Sequence, residues 1–178
     1  MKYLIISCSL KEFSRSRAMA KRAETRLKDK GVELEFIDMN EYPLPFCNAG
    51  DCYSDPDVQK LQQLITDCDG ILVACPIYNF TINSVYKNLV ELTGRAWQDK
   101  VVGFLNAAGG KSSYMSVMSI ANSLMLDFRS VILPRFVYAS EGDFDGVELS
   151  NDAIDERLSD LCDDLIRFTQ ALRSEKPQ

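Results

Sequence analysis

Hydrophobic and polar positions alternate along this chain in two rhythms that take turns. Residues 3–7 form a compact apolar run, and residues 70–75 a longer one, as strands buried on both faces do. Residues 32–38 alternate as a strand, and runs at 100–106 and 130–138 complete a predicted set of five. Helical spacing fills the intervals: about 16–30, ended by Gly31, then 57–67, 83–93, 112–128 and 152–172. The last helix carries Ile154, Leu158, Leu161, Leu165, Phe168 and Leu172 as one stripe, suited to packing on a sheet or on a helical partner. Strands alternating with helices predict an α/β fold with a doubly wound parallel sheet. For five strands the expected order is the flavodoxin-like 2-1-3-4-5, with helices on both faces. Ligands of such sheets bind at the carboxyl ends of the strands, where the order reverses.

That topology directs attention to three loops. After the first strand come Ser9, Lys11, Ser14, Arg15 and Ser16, just ahead of a helix. Hydroxyls, a cation and the open N–H groups of a helix start suit a phosphate. A capping serine and a solvated arginine would read the same way singly; the cluster favours function. After the third strand come Pro76, Ile77, Tyr78, Asn79 and Phe80, with Asn83 as a helix cap. The proline is expected to turn the chain outward, and the rings and the amide suit the faces and edge of an isoalloxazine. After the fourth strand, Asn106, Gly109 and Gly110 offer small residues for close backbone approach. The Gly-Lys-Ser at 110–112 is not a P-loop, because Leu105 stands where its first glycine belongs, and no Gly-x-Gly-x-x-Gly is present.

Composition narrows the chemistry. The 178 residues contain no histidine, which removes imidazole bases, histidine triads and the common zinc sites. Chemistry carried by a bound organic cofactor remains. A net charge of −6 argues against nucleic acid and anionic membrane surfaces as partners. No apolar run approaches the roughly 20 residues of a membrane span, and the start turns polar too soon for a signal peptide. A cytoplasmic protein is the expectation, so the six cysteines are read as free thiols. Cys47 and Cys52 share a long loop at 39–56; they read as plain thiols or a redox pair, since a cubane cluster wants four thiolates. Glu141, Asp143, Asp145 and Asp152 approach calcium-loop spacing, but a strand precedes them, so an acidic surface loop is expected.

Taken together the loops resemble the NADPH-dependent FMN reductase family. Its first loop, Gly-Ser-x-Arg-x-x-Ser-x-Asn, is matched at Ser9 and Ser14, with Cys8, Lys11 and Ser16 in place of Gly, Arg and Asn. Its Pro-Glu-Tyr-Asn appears as Pro76-Ile77-Tyr78-Asn79, its Lys-Asn as Lys87-Asn88, and the turn Phe144-Asp145-Gly146 is similar. The resemblance implies that Ser9, Ser14, Arg15 and Ser16 hold the FMN phosphate, that Pro76 to Asn79 line the flavin, and that Asn106, Gly109 and Gly110 lie near its ring. Ile77 removes a carboxylate from beside the ring, and Lys11 keeps charge but loses the guanidinium fork. The implied activity is transfer of hydride from NADPH or NADH to bound flavin and on to free flavin, a quinone or another small acceptor, in a homodimer or homotetramer. A flavin-binding electron carrier or regulatory module is the alternative. One domain over residues 1–173, with 174–178 as a frayed tail, is expected.

Overall fold

The computed structural model describes residues 1–174. In chain order the elements are β1 (Lys2–Ser7), α1 (Arg15–Asp29), β2 (Glu33–Asp38), α2 (Pro56–Asp67), β3 (Gly70–Tyr78), β4 (Thr81–Ile82), α3 (Ser84–Thr93), β5 (Val101–Ala107), α4 (Met118–Phe128), β6 (Val131–Ile132), β7 (Val137–Ala139), β8 (Phe144–Asp145), β9 (Glu148–Leu149) and α5 (Asp152–Ser174). Of the expected tail, Ser174 closes α5, and residues 175–178 lie outside the described residues.

The main sheet runs β2-β1-β3-β5-β6, with β7 also parallel to β5. This is the expected order, its fifth strand divided in two. Leu133 still donates to the Val102 carbonyl at 2.9 Å, but Pro134 has no N–H to continue the ladder. Pairing resumes at Val137 against Leu105.

Alternation in the strands sorts the core into two layers. Leu4, Ile6, Ile71, Val73, Val102 and Phe104 face α2, α3 and α4. Tyr3, Ile5, Leu72, Ala74 and Leu105 face α1 and α5, where Met19, Ala23, Leu27, Leu158, Leu161 and Leu165 meet them. The stripe on α5 therefore packs on the sheet from Ile154 to Phe168, while Leu172 at its end is exposed. Gly103 sits where α5 crosses β5: a Cβ there would meet Leu72 Cδ2 at 2.8 Å and Leu161 Cδ1 at 3.1 Å.

Two boundaries differ from the sequence-based reading. The fourth helix begins only at Met118, after a 3-10 turn over Tyr114–Val117. The third strand does not turn outward at Pro76 but continues to Tyr78. Ala74 faces β1, since its carbonyl accepts from Cys8 N at 2.9 Å. Pro76, two residues on, faces the same way, where β1 has already ended at Ser7, so its missing N–H leaves no ladder bond unmade. Beyond it, Ile77 pairs with Ile82 and Tyr78 with Thr81, making a hairpin with Asn79 and Phe80 as its two-residue turn. Both have positive φ, 49° and 65°, as a primed hairpin turn requires.

Candidate functional site

The parallel register sets the exits of β1, β3 and β5 side by side: Ser7 lies beside Ala74, and Cys75 beside Asn106. The loops leaving these strands, with the turn after β7, enclose a cleft of about 300 Å³. Ser9, Lys11, Ser14, Arg15, Ser16, Pro76, Ile77, Tyr78 and Gly109, all singled out in the sequence, line it. Phe13, Ala107, Ala108, Glu141, Gly146 and Val147 line it as well.

One end of the cleft is the start of α1. Ser14 is the N-cap, its Oγ accepting from Arg17 N at 3.3 Å. The N–H groups of the first helical residues have no carbonyl within the helix to bond, and the helix dipole makes this end positive. Ser14 Oγ lies 3.1 Å from Ser16 Oγ, and Ser9 Oγ accepts from Lys11 N at 3.3 Å, which leaves the Ser9 proton free to donate. Hydroxyl protons, backbone N–H groups and the Lys11 ammonium thus share one small region.

Arg15 is engaged differently. Its Nε donates to the Gly146 carbonyl at 3.1 Å, its Nη2 meets Glu141 Oε1 at 3.1 Å, and its guanidinium lies 5.5 Å from the centre of the Phe144 ring. It spans from the helix start to the turn after β7 and closes that side of the cleft.

The residue that shapes the loop was not singled out from sequence. Arg17 forks onto Asp38 at the end of β2, Nε to Oδ2 at 2.6 Å and Nη2 to Oδ1 at 3.2 Å. Its remaining donors reach the carbonyls of Lys11 at 2.6 Å, Glu12 at 3.0 Å and Ser9 at 2.5 Å. With those carbonyls turned toward Arg17, the loop is held in one shape. In sequence Arg17 looks like any solvated arginine one turn into a helix.

Four expected residues stand apart from the cleft wall. Asn79 and Phe80 form the hairpin turn, with the Phe80 ring 59% exposed. Gly110 offers its carbonyl to the Tyr138 hydroxyl. Asn106 is the clear correction: it shares the parity of Val102 and Phe104, so its side chain goes to the α3–α4 layer and is buried, with neither amide atom bonded. Asn83 occupies the N-cap of α3 but makes no side-chain cap; its Nδ2 donates to the Cys8 carbonyl at 2.7 Å, tying α3 to the first loop.

The acidic loop also has a structural use. Burial alone would raise the Asp143 carboxyl, but the Ser140 N–H and hydroxyl and the Asn151 amide all donate to it and bring it below its ordinary value. No helix among the described residues is long and apolar enough to cross a membrane.

Comparisons with known proteins agree with this geometry. The family model for NADPH-dependent FMN reductase matches residues 1–145. An NAD(P)H-dependent FAD/FMN reductase of Geobacillus thermodenitrificans is 27% identical over 146 residues, covering 80% of this chain and 79% of its own. An NAD(P)H:quinone oxidoreductase of Solanum tuberosum is 29% identical over 137 residues, covering 72% and 70%. Among solved structures, a flavoenzyme NAD(P)H:acceptor oxidoreductase from Paracoccus denitrificans superposes with a TM-score of 0.78 over 96% of this chain and 97% of its own, at 18% identity. A serine-lined helix start, two further strand exits at the same switch point and a family match over most of the sequence have one meaning: the chain belongs to the NADPH-dependent FMN reductase family.

Proposed function

We propose that this chain binds FMN in the cleft and transfers reducing equivalents from NADPH or NADH to a quinone, a free flavin or another small acceptor. The observation that carries this is the convergence of the Ser9–Ser16 loop, Pro76–Tyr78 and Ala107–Gly109 on one cleft. The residues fit the cofactor. A phosphate at the α1 N-terminus meets the hydroxyls of Ser9, Ser14 and Ser16, helix N–H groups and Lys11, with Arg15 close by. Hydrogen bonds to a charged group contribute about 1.5–3 kcal/mol each, so three or four hold a phosphate firmly. The apolar surfaces of Pro76, Ile77 and Ala108 and the Tyr78 ring suit a flat heterocycle. Bound there, the flavin would supply the hydride-accepting centre that no amino-acid side chain offers. The protein's own part is to orient the ring and neutralise the phosphate.

Phe46, Phe80 and Met115 are 85%, 59% and 55% exposed, which supports assembly as a homodimer or homotetramer. The test of the activity is anaerobic addition of NADPH, then NADH, to the FMN-loaded protein. The flavin absorption band is expected to bleach and to recover on addition of a quinone. A band that persists with both nucleotides refutes the proposal.

A further inference from the structure

The connection between β2 and α2 carries a second reactive arrangement, away from the cleft. Asn88 on α3 accepts from Cys47 N at 3.0 Å and donates to the Pro45 carbonyl at 3.0 Å, pinning the chain on both sides of Phe46. Past Cys47, Asn48 Oδ1 accepts from Gly50 N at 2.9 Å and from Cys52 N at 3.4 Å, and Ala49 takes a left-handed φ of 56°. This turn folds Cys52 back beneath Cys47. Cys52 is buried with Val58 and Leu92, and Cys47 packs on that cluster while remaining open to solvent. The Tyr53 hydroxyl lies 3.5 Å from Cys47 Sγ.

The Tyr53 hydroxyl first, then the Ala49 N–H and the Cys52 thiol, hold Cys47 below its ordinary value of 9.0, while Glu91 on α3 opposes them. The other thiols differ. Cys8, Cys68, Cys75 and Cys162 are buried in the two core layers, and burial pushes Cys68 and Cys162 up to about 12. An accessible, stabilised thiolate above a sheltered second thiol is the arrangement of a thiol that reacts with peroxide and is then resolved.

We propose that Cys47 and Cys52 are a peroxide-reactive dithiol, Cys47 attacking and Cys52 resolving. The Cys47 thiolate attacks one oxygen of hydrogen peroxide, the O–O bond breaks, and protonation of the departing oxygen gives water and a Cys47 sulfenic acid. The Cys52 thiol then attacks the Cys47 sulfur. The S–O bond breaks, the hydroxyl leaves with the thiol proton as a second water, and the S–S bond closes. Only residues 48–51 lie between the two cysteines, and Asn48 already holds them in a turn. A low-molecular-weight thiol restores both groups by two exchanges.

The experiment is brief treatment of the full chain with hydrogen peroxide, alkylation, and mass spectrometry of the peptides. A Cys47–Cys52 disulfide is expected first, with loss of two hydrogens, reversed by dithiothreitol, while the four core cysteines alkylate only after unfolding. In Cys52→Ser, dimedone is expected to trap the sulfenic acid on Cys47. In Tyr53→Phe, the first step is expected to slow roughly three- to tenfold near neutral pH through the smaller thiolate fraction. The proposal is overturned if Cys47 in the unmodified chain oxidises no faster than free glutathione. Sulfinic acid on Cys47 with Cys52 still alkylatable overturns it equally.

Discussion

Replacing Arg17 by Ala tests whether the phosphate loop is held in shape from behind. Arg17 makes three bonds to the carbonyls of Ser9, Lys11 and Glu12 and a fork onto Asp38. At about 1.5–3 kcal/mol for each bond from a charged donor, the three carbonyl contacts set a ceiling of roughly 4–9 kcal/mol. Those to Lys11 and Glu12 are exposed, where water substitutes; the one to Ser9 is half-buried. The net contribution is therefore nearer about 2–4 kcal/mol. If half of it orders the loop, about 1–2 kcal/mol must be supplied on binding, and the FMN dissociation constant rises roughly 5- to 30-fold. Riboflavin lacks the phosphate, so its affinity is expected to move much less. Arg17→Lys keeps the charge without the fork and is expected to fall between. Fluorescence titration of apoprotein with each ligand, beside a denaturant midpoint for each variant, separates loop order from global stability. Equal weakening of FMN and riboflavin, or unchanged FMN affinity in Arg17→Ala, refutes the reasoning.

Two further outcomes concern the framework. Arg22 donates to Asp155 at 2.6 and 2.9 Å and Arg26 at 2.5 Å, and the Arg22 bonds above all hold the carboxyl at about 2, below its ordinary 3.8. A depressed carboxyl stabilises the fold above its unfolded value and loses that contribution as pH falls through the folded one. About 2 kcal/mol of stability is thus expected to disappear as pH drops from about 4 to below 2. Denaturant midpoints against pH check this, and an acid limb unchanged in Asp155→Asn contradicts it. Gly103→Ala puts a methyl against Leu72 and Leu161 and is expected to destabilise by about 1–3 kcal/mol, read as a lowered urea midpoint; a neutral result would mean that the α5 leucines give way freely.

Much of this architecture was legible in the chain because burial on both faces leaves an unmistakable mark. The apolar runs at β1 and β3 could be nothing but central strands, and once those were placed the loops after them had to converge. Asn106 was open to the same parity logic: two residues beyond Phe104 on one strand, it goes where Phe104 goes. The hairpin at Tyr78–Thr81 was not legible, because Asn-Phe is not a turn pair that sequence announces. Arg17 was hidden for another reason. Its partners are backbone carbonyls and an aspartate 21 residues away, and backbone groups leave no trace in a sequence. The bridge from Arg15 to Glu141 and Gly146 joins parts of the chain 126 and 131 residues apart, a distance that local patterns do not span.

The turn at Asn79 and Phe80 has a consequence for how this chain tolerates change. A bulky residue at a φ of 65° sits in a conformation that glycine or asparagine adopts with less resistance, at a cost on the order of 1–2 kcal/mol. Local preference and global fold disagree there, which is frustration in the energy-landscape sense. A library screened for heat resistance is therefore expected to be drawn toward Gly or Asn at position 80.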